Sequence, residues 1–225
     1  MTNQAGKDPT TAEHLTEEEK KDERIRSEKV LAFLDAKRSA LKLSEKQALY
    51  KQMAKTIDEG FQKLFKKLAG MSELKFKAAA DIVTLKWEYS DSSEAFTEFQ
   101  NYSIRWAYAS WEHKTVKFSN LLAFAPKEII RALATHETLH IIYRMLEPSC
   151  LNVQPITVFA NEYPEDQQQE EHWVRTMNKR LGFTEENMML WQIAVEIGGE
   201  MWRPRYYEMK KDPVLRSIVK QNCFS

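Results

Sequence analysis

His136-Glu137-Thr138-Leu139-His140 constrains this 225-residue chain more than any other stretch. Histidines four residues apart share one face of a helix, so both imidazoles can reach a single metal ion. The glutamate after the first histidine turns toward the neighbouring face. There a carboxylate can take a proton from a water activated by that metal. With 5 His and 25 Glu in the chain, the pattern arises by chance about once in a hundred such sequences, so its surroundings must carry weight. The motif needs a helix, and the flanks predict one. Pro126 suits a first helical turn, Glu128 suits that turn's dipole, and Pro148 waits beyond the far end. Ile129, Leu133, His136 and His140 fall at i, i+4, i+7 and i+11, so the histidines extend an apolar stripe. The competing reading is a buried helix whose polar side chains are satisfied by hydrogen bonds.

The rest of the composition narrows the classes. A formal net charge of +0 and no Lys/Arg-dense stretch interleaved with aromatics argue against a nucleic-acid surface. Cys150 and Cys223 form neither a metal pair by spacing nor a disulfide framework. The first residues lack a basic region followed by an apolar one. No apolar run approaches the roughly 20 residues that cross a bilayer. The expectation is a cytoplasmic protein with no membrane partner.

Along the chain, residues 1–15 are polar and unpatterned and read as a disordered tail. Thr16-Glu-Glu-Glu19 reads as a capping box opening a charged helix to about Leu41, with a thin stripe of Ile25, Val30, Leu31 and Leu34. Ser44-Glu-Lys-Gln47 reads as a second capping box. It opens the best amphipathic helix, with Leu49, Met53, Ile57, Phe61, Leu64, Phe65 and Leu68 on one face. Together these predict a helical hairpin over 16–72, either packed on the domain downstream of it or serving as an arm for a partner or for self-association. From residue 82 the period changes. Ile82–Tyr89 and Tyr102–Trp111 read as strands, with Glu112–Lys114 a turn and Thr115–Phe118 the returning strand. Residues 147–168 read as a long loop, and 168–181 as a helix with Trp173, Val174, Met177 and Leu181 inward. Another helix spans 184–201, and the tail from 204 to 225 carries at most a short helix near 213–220. The fold class expected is α+β. A small antiparallel or mixed sheet packs on the motif helix and a following glutamate-bearing helix, in a domain spanning 78–203.

A catalytic zinc site usually has three protein ligands and one open position. A third histidine six residues after the second is excluded here, because Leu146 stands there. Glu170 ranks first downstream, since it falls in the middle of the inward face where an unpaired carboxylate would be costly. Glu171 is the runner-up, about 100° around the same helix. Glu162 ranks third, in Asn161-Glu162-Tyr-Pro-Glu-Asp166, loosely like the ligand motif of thermolysin-type enzymes but interrupted by Pro164. His172 ranks last, pointing nearly opposite the apolar centre. Tyr206, Tyr207 and His172 are available as the electrophile for a developing oxyanion.

The order strand, hairpin, His-Glu-x-x-His helix, loop, Glu-bearing helix resembles the minimal zincin metallopeptidase domain. More narrowly it is similar to small phage-encoded metallopeptidases. The matching residues are Thr115–Phe118, Ile129–Ile142 and Glu170-Glu171-His172-Trp173-Val174, within about 80–182. The resemblance implies a zinc ion, peptide-bond hydrolysis, and an extended protein or peptide substrate laid along the sheet edge. In that reading His136, His140 and Glu170 hold zinc, and Glu137 is the general base. The alternative expectation is a catalytically silent, zinc-stabilised scaffold that uses the helical arm as its interface. Retention of Glu137 favours the enzyme, since a structural site needs no base.

Overall fold

The computed structural model describes residues 16–75, 86–90, 104–146, 165–183 and 186–224. Its elements run α1 (Glu17–Ala40), α2 (Leu43–Leu68), β1 (Lys86–Ser90), β2 (Ala107–Ser110), β3 (Thr115–Ser119), α3 (Lys127–Met145), α4 (Glu165–Arg180), α5 (Glu186–Gly198), α6 (Trp202–Lys211) and α7 (Pro213–Phe224). Short 3-10 turns cover Asn120–Phe124 and Gly199–Met201. The fold is α+β, mostly helical around a three-stranded mixed sheet.

The motif helix is the pivot. Ile129, Ile130, Ala132, Ala134, Thr135, Thr138, Leu139, Ile141, Ile142 and Met145 of α3 are all buried, so it is covered on nearly every side, as a central helix must be. The buried Thr138 hydroxyl is satisfied locally, donating to Ala134 O at 2.6 Å. Three layers cover α3. On one side lies α2, brought close at Gly60, where an added Cβ would stand 3.4 Å from Ala134 Cβ and 3.5 Å from Arg131 Cα. On a second side Trp173, Val174 and Met177 of α4, with Leu181 just past its end, pack against Leu139, Ile142 and Leu146, and Leu64 and Leu68 of α2 join them. Each such side chain contributes on the order of 1.5–3 kcal/mol when fully buried. The sheet covers the third side, through Val116 and Phe118.

In the sheet β3 is central, in the order β1-β3-β2. β1 runs parallel to it, Lys86 opposite Thr115, and β2 antiparallel, Ala107 opposite Phe118. The expected hairpin is therefore present, and Trp111–Lys114 forms its turn, with Lys114 N–H donating to Trp111 O at 3.1 Å. Trp87 ties β1 to α2 by donating its indole N–H to Asp58 Oδ1 at 2.8 Å. Residues 82–85 of the first expected strand lie outside the described residues, as do 1–15 and residues 147–164 of the expected loop, Glu162 among them; the last four residues expected in that loop, 165–168, belong to α4.

Two expectations need correction, and one alternative is resolved. The second capping box starts earlier than Ser44: Lys42 is the N-cap of α2, and its N–H donates to Glu45 Oε2 at 2.7 Å. Of the two alternatives for the helical pair over 16–72, the described residues show packing on the domain downstream. Val30 and Leu34 of α1 and Met53, Ile57 and Phe61 of α2 share one core with Val116, Phe118, Leu190, Trp191, Tyr206 and Val219. Arg26 and Lys29 reinforce this by pairing with Glu196 of α5 at 2.9 and 3.7 Å. The tail beyond 204 is two helices. Tyr206 and Met209 of α6 are buried one turn apart. Asp212 Oδ1 accepts from Val214 N–H at 2.8 Å and Leu215 N–H at 3.2 Å, capping α7 just ahead of Pro213 at its first position. Among the described residues no helix is long and apolar enough to cross a membrane.

Candidate metal centre

His136 and His140 lie one turn apart on α3, their ring centroids 4.9 Å apart. Their Nε2 atoms stand 3.2 Å from each other. Glu171 comes in from α4, its Oε2 3.2 Å from His140 Nε2 and 3.9 Å from His136 Nε2. Of the His, Cys, Asp and Glu side chains among the described residues, these three form the group able to hold a metal ion. Zinc–ligand bonds of about 2.0–2.2 Å in a tetrahedral shell separate the ligand atoms by roughly 3.3 Å, so the donor set fits that ion.

Glu170, ranked first from the sequence, stands elsewhere. Its Oε1 is 2.9 Å from Nδ1 of His140, on the opposite edge of the ring from the converging atoms. Its Oε2 accepts from Arg144 Nη2 at 2.9 Å and Nε at 3.1 Å. Glu171, the runner-up, is thus the carboxylate that converges with the histidines. The helical-face argument did not separate the two, because both carboxylates are buried, Glu170 at 8% and Glu171 at 5% exposure. Burial alone could not separate them; the direction of approach to His140 does.

The sequence reading missed the partners that fix these groups. Arg175, one turn beyond Glu171 on α4, donates its Nε–H to Glu171 Oε1, leaving Oε2 toward the histidines. Asn178, two turns beyond Glu171 and 1% exposed, places its amide 3.5 Å from His136 Nδ1. Glu171, Arg175 and Asn178 fall at i, i+4 and i+7, a spacing that was readable as one helix face.

Electrostatics couples the cluster. Burial disfavours a charge on His140, but hydrogen bonds to Glu170 and Glu171 and the charge of Glu137 outweigh it and push the imidazole up to about 10. Burial also disfavours a charge on Glu171. The pull of His136, the His140 hydrogen bond and Arg175 overcome it and hold the carboxyl well below the usual range. Glu137 is half-buried beside this cluster and near enough for its charge to act on His140.

The three electrophile candidates divide. Tyr206 OH donates to Glu128 Oε1 at 3.1 Å, at a residue eight positions before His136, or about 12 Å along the helix axis. Tyr207 meets Tyr206 edge to face, ring centroids 5.1 Å apart, and is 45% exposed. Neither belongs to the cluster. His172 is the next residue after Glu171 on α4, half-buried, with burial lowering its pKa. No family model, curated protein or solved structure matches this chain.

Proposed function

We propose that the chain is a zinc-dependent metallopeptidase with His136, His140 and Glu171 as ligands and Glu137 as general base. The observation that carries this reading is the convergence of His136 Nε2, His140 Nε2 and Glu171 Oε2, with separations of 3.2, 3.2 and 3.9 Å, beside Glu137. Zinc held there would supply Lewis-acid activation of a water and of the scissile carbonyl.

The chain's own residues do the rest. Arg175 holds Glu171 Oε1, so Glu171 offers Oε2 to the histidines, and among the described residues the three side chains match the protein-ligand number of a catalytic zinc site. Glu137, one residue past His136, takes the proton from the attacking water and returns it to the leaving nitrogen. Among the described residues β2 is an edge strand and packs on α3. An extended peptide could add along that edge by main-chain hydrogen bonds.

The decisive experiment pairs metal analysis with Glu137→Gln. Protein purified without chelator should carry about one zinc per chain. On a mixed peptide pool the Gln variant should lose on the order of 10²–10⁴-fold in rate, with zinc content unchanged. Zinc at one per chain with no cleavage by either protein, and no retention of uncleaved substrate by Glu137→Gln, would support the scaffold instead. Chelator-sensitive cleavage equal in both proteins would remove Glu137 from its role.

A further inference from the structure

Glu170 and Glu171 are adjacent in sequence, equally buried, and both hydrogen-bonded to His140, yet they meet opposite edges of its ring. We infer that Glu170 is a positioning residue that fixes the orientation and tautomer of His140, backed by Arg144, and is not a ligand. The inference rests on the metal-site reading above.

Both oxygens of Glu170 are engaged. Oε1 takes the Nδ1 edge of His140 at 2.9 Å, and Oε2 takes the Arg144 guanidinium at 2.9 and 3.1 Å. A carboxylate on Nδ1 requires a proton on that nitrogen, which leaves the Nε2 lone pair directed at His136 Nε2 and Glu171 Oε2, where a cation would sit. The same bond stops the ring from turning about χ2, which would swap its two nitrogens. It also makes the imidazole a stronger donor. Arg144, 46% exposed, offsets the cost of burying Glu170, whose side chain is 11% exposed. The two carboxylates therefore divide the labour: one faces the ion, the other aims the histidine that faces it.

The roles are separable by titrating the full-length protein with Co(II) and Zn(II). Four proteins are compared: wild type, Glu170→Ala, Glu170→Gln and Glu171→Ala. Losing an outer partner typically costs 10- to 100-fold in metal affinity. Glu170→Ala should weaken binding by that amount while keeping one Co(II) per chain and a wild-type visible absorption band. Glu170→Gln, whose amide oxygen still accepts from Nδ1–H, should recover most of the loss. Glu171→Ala should change the band's intensity and position, because a donor atom is gone. Arg144→Gln, at a more exposed site, should weaken binding less than Glu170→Ala; it serves as the second probe if Glu170→Ala misfolds. A purely structural role would lower the melting temperature of metal-free Glu170→Ala without changing its affinity, and that result overturns the inference. So does a Co(II) spectrum altered by Glu170→Ala and unaltered by Glu171→Ala. Wild-type protein that binds neither metal would instead remove the metallopeptidase reading itself.

Discussion

Two partly buried charged clusters sit on α3, eight residues apart, and they are built differently. At the first turn Glu128 Oε1 accepts from Tyr206 OH at 3.1 Å and from Lys210 Nζ at 2.9 Å, which fastens α6 to α3. One carboxylate meets one cation and one hydroxyl, and the protein's own donors close it. Further along, Glu137, Glu170 and Glu171 gather around His136 and His140, countered by Arg144 and Arg175. Three negative charges face two positive ones, and the balance is made by a proton on His140, raised to about 10. A cluster that must recruit a proton to a buried imidazole is one where a metal ion can take the proton's place. The first cluster is a fastening; the second contains a group that could hold a metal ion.

The largest expected difference between them is in metal affinity. His136→Ala or His140→Ala deletes a ligand atom and should lower zinc affinity by more than about a hundredfold, beyond the usual cost of losing an outer partner. Glu128→Gln should leave the affinity within about twofold. Isothermal titration of the three variants decides it. Equal loss at both clusters would mean that zinc merely stabilises α3 as a whole.

The next effect is on pH. His140 has a raised pKa, so as a protonated group it stabilises the metal-free protein fully below its ordinary value of 6.5 and progressively less as pH rises toward about 10. Glu171 has a lowered pKa, so its contribution is present above 4.5 and lost as pH falls below that value. Zinc must displace the His140 proton across the neutral range. Apparent affinity should therefore rise about tenfold, or 1.4 kcal/mol, per pH unit between pH 6 and 8, with about one proton released per zinc. Titrations in two buffers of different ionisation enthalpy count that proton. A pH-independent affinity would show that His140 is neutral before zinc arrives.

Much of this was legible in the sequence, and the losses have definite causes. The motif helix was readable because two punctuating prolines frame it and its histidines continue an apolar stripe. The hairpin of β2 and β3 was readable from alternation and a short polar turn. The choice between Glu170 and Glu171 was not, because neighbouring residues about 100° apart can both be inward when a helix is covered on two sides. α6 was hidden by arginines and lysines that dilute a stripe of only Trp202, Tyr206 and Met209. The start of α7 at Pro213 was readable, but its expected end at 220 falls short of Phe224. The packing of the helical pair stayed one of two readings for a different reason. The apolar stripe of α1 is thin: Val30 and Leu34 are fully buried, Leu31 and Phe33 partly so, and ion pairs to Glu196 help to seat the helix on α5.

The smallest effect tests the fastening on its own. Tyr206→Phe keeps the buried ring and removes one hydroxyl donor from Glu128, which retains Lys210. Losing one hydrogen bond to a carboxylate that is about one-third exposed should cost roughly 1 kcal/mol. In a chain of this length that lowers the melting temperature by about 2–4 °C. Tyr206 has a pKa raised by burial first and then by the Glu128 charge, so its hydroxyl stays protonated through the ordinary tyrosine range. The difference between wild type and Tyr206→Phe should accordingly persist above pH 10 and shrink as pH falls below 4.5, where Glu128, whose pKa is lowered, takes up its proton. Thermal melts of both proteins from pH 4 to 10.5, each with and without zinc, give the comparison. Zinc should raise both melting temperatures equally, because α6 pins the start of α3 and the metal ligands lie two turns away. A zinc-induced shift that differs between the two would mean that the first turn of α3 and the histidines move together, and that the fastening helps to set the site.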